Sequence, residues 1–339
     1  MSETMTTPIP FHKLCSLLSL GEIQGEPRSL SGGFMHQMYG IETSQGRYAI
    51  KVLNPMIMQR PTAKANFIRS EQIASMAANV VPAAPAIQRN GDSLHYVDDH
   101  HMQAFGWVQG VVLNPDAITV DHCITIGSIL ADLHLADFTS LSITYPISHN
   151  VQEPTDWTSY LAQGEGNRAI WVEMMAQTID NLYKWDAQAN VSVTKLTANT
   201  VISHNDLDPK NVLWYDKNPT IIDWECANYV NPMQDLIETA LYWATDGNGT
   251  ANQERFLAFI QAYSLKIGPL VTDWHVVLSS GFAGKLGWLA YNLRRSLGIE
   301  SSDAAEQELG TEQVKATLDV LHQYAEQLKE IELWLHSIE

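Results

Sequence analysis

The chain of 339 residues is 45% hydrophobic and 17% charged, which excludes general disorder, because that much apolar side chain can be buried against the entropy of ordering. Twenty Lys and Arg face 38 Asp and Glu, a formal net charge of −18 that argues against a duplex nucleic-acid partner, whose phosphates demand basic patches. No apolar run approaches the ~20 residues of a membrane span, and Cys15, Cys123 and Cys226 are too few and too scattered for a disulfide framework or a zinc site, so a reduced, cytoplasmic protein without a membrane partner is expected.

In chain order, residues 1–10 are polar and lack the basic head and apolar run of a secretory signal. Residues 30–43 and 47–53 read as two strands joined by a turn at 44–46. A helix is expected over 63–78, rich in Ala, Met, Glu and Gln and free of Gly and Pro. After a proline break at 82–85, strands follow at 94–97 and 102–108. From residue 121 helices dominate: Asp121 is a candidate N-cap, and Ile126, Leu130 and Leu133 recur at helical spacing. The exception is a hairpin over 212–215 and 220–222. The last third reads as helices at 235–245, 253–267, 274–297 and 312–338. The pattern is an α/β (α+β) chain, with a small strand-rich lobe over 1–106 and a larger helical lobe over 107–339. The first carries no net charge, so the whole acid surplus lies on the second, where it either keeps the protein soluble or attracts a cation.

The sharpest chemical signal is Ser203-His204-Asn205-Asp206-Leu207-Asp208-Pro209-Lys210-Asn211, followed by Ile221-Ile222-Asp223. Phosphoryl transfer needs a carboxylate to take the acceptor's proton and oxygen ligands for magnesium. Asp206 can be the first, and Asn211 with Asp223 the second, because the intervening hairpin returns the chain and sets 211 beside 223. Upstream, Tyr48-Ala49-Ile50-Lys51-Val52 alternates, so Ala49 and Lys51 share one strand face, a small residue for a base and a cation for phosphates. Gly32 and Gly33 would let backbone amides approach a phosphate, although an ordinary hairpin turn has the same look.

These segments resemble those of the aminoglycoside phosphotransferase and choline kinase group, which shares the protein-kinase-like fold. The resemblance implies a bilobal fold in which Asp206 is the catalytic base, Asn211 and Asp223 bind Mg2+, and His204 supports the loop. It further implies that Gly32 and Gly33 cover the nucleotide, that Glu71 pairs with Lys51, and that Ala104, Phe105, Gly106 and Trp107 form the adenine-binding hinge. His134 is expected to be structural, and Asp235 to brace the catalytic loop. Where a protein kinase carries a lysine two residues after the catalytic aspartate, this chain has Asp208, which favours a small-molecule kinase. The C-terminal helices would then hold the acceptor, with Asp208, Glu225 and Trp243 as contacts, joined by Tyr242 and the stretch 288–291. The expected activity is transfer of the γ-phosphate of ATP or GTP to a hydroxyl of a cationic small molecule such as an aminoglycoside. Choline, homoserine, a ketosamine or a macrolide remain as acceptors, a non-catalytic nucleotide-binding regulator is the reading from another class, and phosphorylation of a protein is a third possibility.

Overall fold

The structure is a computed structural model that describes residues 8–30, 35–143, 154–301 and 303–338. In chain order it contains α1 (Phe11–Leu18), β1 (Arg28–Leu30), β2 (Gln37–Thr43), β3 (Gly46–Val52), α2 (Pro55–Met58), α3 (Ala63–Ala77), β4 (His95–Val97) and β5 (His100–Gly106). Next come α4 (Val120–Leu135), α5 (Trp157–Asn167), α6 (Val172–Leu196), β6 (Val201–Ser203), β7 (Val212–Tyr215), β8 (Asn218–Ile221) and β9 (Asn228–Val230). Helices follow to the end: α7 (Pro232–Ala244), α8 (Gln253–Ile267), α9 (Trp274–Ser280), α10 (Phe282–Ser296) and α11 (Ala304–His336). The expected glycine pair, Gly32 and Gly33, lies outside the described residues.

Residues 1–112, 138–143 and 210–227 form one compact unit, and 113–137, 144–209 and 228–339 form another. The first holds an antiparallel sheet of order β1-β2-β3-β5-β4. Its apolar face follows from strand alternation: Ile41, Ile50, Val52, Met102 and Ala104 pack on Leu14, Cys15 and Leu18 of α1. Ala49 and Lys51 are therefore turned to the other side of β3, as the sequence alternation requires. Compared with a cut at residue 106, the notable member of this unit is the β7–β8 hairpin. Backbone bonds explain its place: Ala84 N–H donates to Ile221 O (2.9 Å), Ile221 N–H to Pro82 O (2.7 Å), and Val111 N–H to Trp214 O (3.0 Å).

The second unit is built on helices. α4 lies against α8 so closely that a Cβ at Gly127 would sit 2.4 Å from Phe259 O. A separate core joins Trp157, Trp171 and Trp185 to Phe282, Leu289, Leu293, Val314 and Leu318. The helix expected over 274–297 is broken into α9 and α10 at Gly281. Tyr324 Oη donates to Leu278 O (2.6 Å) and occupies the space where a Cβ on residue 281 would lie. α11 starts at residue 304 and not 312, because Asp303 caps it by accepting from Glu306 N–H (2.9 Å). The three cysteines form no disulfide, and Cys15 and Cys123 are buried. Among the described residues, no helix is long and apolar enough to cross a membrane.

Gly110 marks the join between the hairpin and the N-terminal unit. Its φ is 154°, and a Cβ at this position would lie 2.9 Å from Trp214 O, which leaves no room for a side chain. Gly110→Ala should therefore cost about 1–3 kcal/mol, read as a lower denaturant midpoint at unchanged slope. An unaltered midpoint would show that the hairpin is not held this way.

Candidate active site

Lys51 is the centre of the N-terminal unit's polar cluster. Its ammonium donates to Asp223 Oδ1 at 2.5 Å and to Glu225 Oε2 at 2.6 Å, with only 8% of the side chain exposed. Burial alone would lower the lysine's pKa, but the charges of Asp223 and Glu225 outweigh it and hold the group above its ordinary value. For Glu225, burial alone would raise the carboxyl. Lys51 and His36 reverse that and keep it well below the usual carboxylate range. Glu225, expected at the acceptor, is thus engaged by Lys51, and His36 Nε2 lies 3.4 Å from its Oε2.

The pairing expected for Glu71 differs as well. The residue sits on the buried face of α3, but its Oε2 accepts from Ala86 N–H (2.7 Å), while Lys51's two ion pairs among the described residues go to Asp223 and Glu225. Glu71 therefore fastens the segment after α3. Burial pushes its pKa up to about 7, against the lowering effects of the Ala86 bond and of Lys51.

Asn211 is buried, and its carbonyl accepts from Ile222 N–H (2.9 Å), which sets it opposite the residue that precedes Asp223. Asp223 takes a left-handed backbone (φ 60°, ψ 61°), a conformation uncommon outside glycine that re-aims the chain at the end of β8. Amide and carboxylate oxygens of the kind that Asn211 and Asp223 carry match the hard-oxygen preference of magnesium. Among the described residues no three His, Cys, Asp or Glu side chains gather into a metal site.

In the hinge segment, Ala104 belongs to the sheet core and its carbonyl accepts from Ile87 N–H (2.7 Å). This corrects its expected place beside adenine. Phe105 is half-buried and Gly106 exposed, and Trp107 lies under the Arg47 guanidinium (4.2 Å to the ring centroid) with its N–H donated to Arg47 O.

Asp206 and Asp208 belong to the other unit. The loop leaves β6 through buried His204, whose Nδ1 accepts from Asp206 N–H (3.2 Å). Asn205 then turns through a left-handed φ of 62°, its amide donating to Asn228 O (2.9 Å) on β9. Trp243, expected to touch the acceptor, is instead wholly buried and donates its indole N–H to Leu207 O (2.8 Å), bracing the loop from beneath. Asp235, expected to brace the loop, is bonded to α4. It accepts from His134 Nε2 (2.9 Å), and the ring's other nitrogen meets Tyr263 Oη (2.8 Å), so this pair ties α7 to α4 and α8. The group that sequence reading missed is Glu238: Tyr242 Oη donates to its Oε1 (3.0 Å). Burial, Glu238 and the charges of Asp206 and Asp208 together raise the Tyr242 phenol. The spacing of 238 and 242 on one helix face was the available signal.

A family model described as the phosphotransferase enzyme family matches residues 26–277. The chain belongs to this phosphotransferase family. Its fold is the protein-kinase-like one. A spectinomycin phosphotransferase, solved with ADP and spectinomycin, is similar at TM-score 0.65 and 13% identity, covering 94% of this chain and 99% of that one. A choline kinase from Cryptosporidium parvum is similar at TM-score 0.59 and 15% identity, with 92% of each chain covered. A Plasmodium vivax ethanolamine kinase gives 0.58 and 15%, over 94% of this chain and 86% of that one.

The enzyme's buried Glu71 carries a pH dependence. A carboxyl raised from 4.5 to about 7 by folding holds its proton more tightly in the folded state, so rising pH removes stability across that window. The full loss is about 3 kcal/mol. Glu71→Gln keeps an oxygen for Ala86 N–H and should flatten the fall between pH 5 and 8, ending more stable than the parent at pH 8. Parallel stability curves for the two proteins would refute the assignment.

Proposed function

We propose that this phosphotransferase moves the γ-phosphate of ATP or GTP, with Mg2+, to a hydroxyl of a cationic small molecule, an aminoglycoside or similar aminated sugar being the leading acceptor. The observation that carries the nucleotide half is the buried Lys51 ammonium beside Asp223, with Asn211 next to it across the hairpin. Asn211 and Asp223 would supply oxygen donors to magnesium, which when bound neutralises charge on the phosphates. Lys51 adds a fixed positive charge where negative charge shifts to the leaving diphosphate. Phe105, Gly106 and Trp107 offer the strand end against which the base would lie.

Asp206 is the base in this reading. As the acceptor oxygen forms its bond to the γ-phosphorus and the bond to the β-phosphate oxygen breaks, Asp206 takes the hydroxyl proton. Its loop is preorganised for that task by His204 below and Trp243 beneath Leu207. The cationic character of the acceptor rests on the carboxylates of the second unit. Asp206, Asp208 and Glu238 all bear on Tyr242, while Lys285 is the cation that feels Glu238, its Nζ lying 4.4 Å above the Tyr324 ring. Carboxylates gathered around one tyrosine favour an amine over a neutral or anionic acceptor.

A nucleotide-consumption panel of hydroxyl-bearing amines, neutral sugars and anions tests both parts. The reading predicts an amine acceptor whose KM rises with salt, and an Asp206→Asn variant that loses about 100- to 10,000-fold in kcat while nucleotide affinity holds. A neutral or anionic acceptor with salt-insensitive KM would overturn the cationic assignment. Full activity of the Asp206 variant would remove it as the base.

A further inference from the structure

We infer that the indole of Trp107 is the platform on which the nucleotide's base stacks, held on the Lys51 face of the sheet by Gly40 and Arg47. The inference rests on the nucleotide-binding reading above and deepens it, because that reading names the strand end near the base but no side chain that grips it.

Strand register decides which side of the sheet the ring occupies. Gly40 of β2 stands directly opposite Ala49 of β3, and Met38 opposite Lys51, so a side chain at 40 would project to the face that carries Ala49 and Lys51. A Cβ at residue 40 would lie 3.1 Å from Cζ3 and 3.7 Å from Cη2 of Trp107, and 3.4 Å from Leu30 Cδ2 of β1. The indole therefore reaches from the end of β5 across β3 to β2, over the Lys51 face and away from the apolar core of Ile41, Ile50 and Ala104. Gly40, Ala49 and Phe105 form one row across the sheet. The first two members, a hydrogen and a methyl, leave the depth that the ring uses.

Three contacts fix the half-buried ring. Trp107 N–H donates to Arg47 O (3.1 Å), the Arg47 guanidinium lies over one face at 4.2 Å from the centroid, and the ring edge rests on Gly40. Arg47 is steadied in turn by Glu42, opposite it on β2, with Nε 3.6 Å from Oε1. The single backbone proton of Trp107 is thus given to the sheet, and what the residue has to offer a base is its side chain. Arg47 takes one face of the indole, and the inference gives the other to the base. A ring fixed in this way stacks on a flat heteroaromatic group with little further loss of freedom. Such stacking is tolerant of sequence because every base has a π face, so the platform serves adenine and guanine alike.

Calorimetry on the full chain tests this with three probes: Mg·ATP, Mg·GTP, and Mg·tripolyphosphate, which has the phosphates and no base. Trp107→Ala should raise the dissociation constants of both nucleotides by about 10- to 100-fold and leave that of tripolyphosphate within about twofold. Trp107→Leu, which fills space without a π face, should behave like Trp107→Ala, whereas Trp107→Phe should lose less than about fivefold. Gly40→Val should weaken both nucleotides in the parent by pushing the ring aside, and have no further effect in a Trp107→Ala background. Cooperative thermal unfolding checks that each variant folds, and the comparison of Trp107→Leu with Trp107→Phe decides should Trp107→Ala fail to. Nucleotide binding as tight in Trp107→Leu as in Trp107→Phe, or an equal loss for nucleotides and tripolyphosphate, would overturn the inference and leave the nucleotide reading intact. A parent protein that binds neither nucleotide would defeat the nucleotide reading first, and the inference with it.

Discussion

A lysine ammonium taken out of water needs compensating charge, and in this chain Lys51 finds it 172 and 174 residues away, at Asp223 and Glu225. Much of the N-terminal unit serves that contact. β3 presents the lysine on the face opposite its apolar side chains, and the β7–β8 hairpin is drawn to the sheet by backbone bonds to residues 82, 84 and 111. Asp223 then accepts a left-handed backbone at the hairpin's end. Fixed charges and dipoles held by such scaffolding can act on a transferring phosphoryl group without reorganising, which is where most of the rate of such reactions arises.

The second unit supplies a different kind of order. The loop after β6 is held by neutral hydrogen bonds to buried groups: His204 under Asp206, Asn205 on β9, and the Trp243 indole on Leu207. These bonds are spent on the loop's own backbone and its supports. Asp206 and Asp208 on this loop are half-exposed, and Glu238 and Tyr242 are bonded to each other on the next helix. The acid surplus of the sequence thereby has at least one local focus beside the proposed base.

What was legible in the sequence was whatever depends on neighbours in the chain. Alternation placed Ala49 and Lys51 on one face, and turn residues placed the hairpin that sets Asn211 opposite Ile222. Helix α8 runs over 253–267 as its sequence pattern requires. What depended on distant packing was not legible. Glu71 was expected beside Lys51 and Glu225 beside the acceptor, and only the fold shows Ala86 N–H on the first and Lys51 on the second. Trp243 reads from sequence like an aromatic ligand contact, and becomes a brace because α7 turns that face to the loop. The break at Gly281 is caused by Tyr324 on α11, far along the chain, so no local pattern announces it.

The central claim is that the Lys51, Asn211 and Asp223 cluster binds a magnesium nucleotide. Thermal unfolding with and without Mg·ATP or Mg·GTP tests it most directly, since a ligand that binds only the folded state stabilises by mass action, by about 2.7 kcal/mol at a hundredfold excess over its dissociation constant. The account predicts a rise in Tm that needs both magnesium and nucleotide. No shift with either nucleotide at millimolar concentration would contradict it.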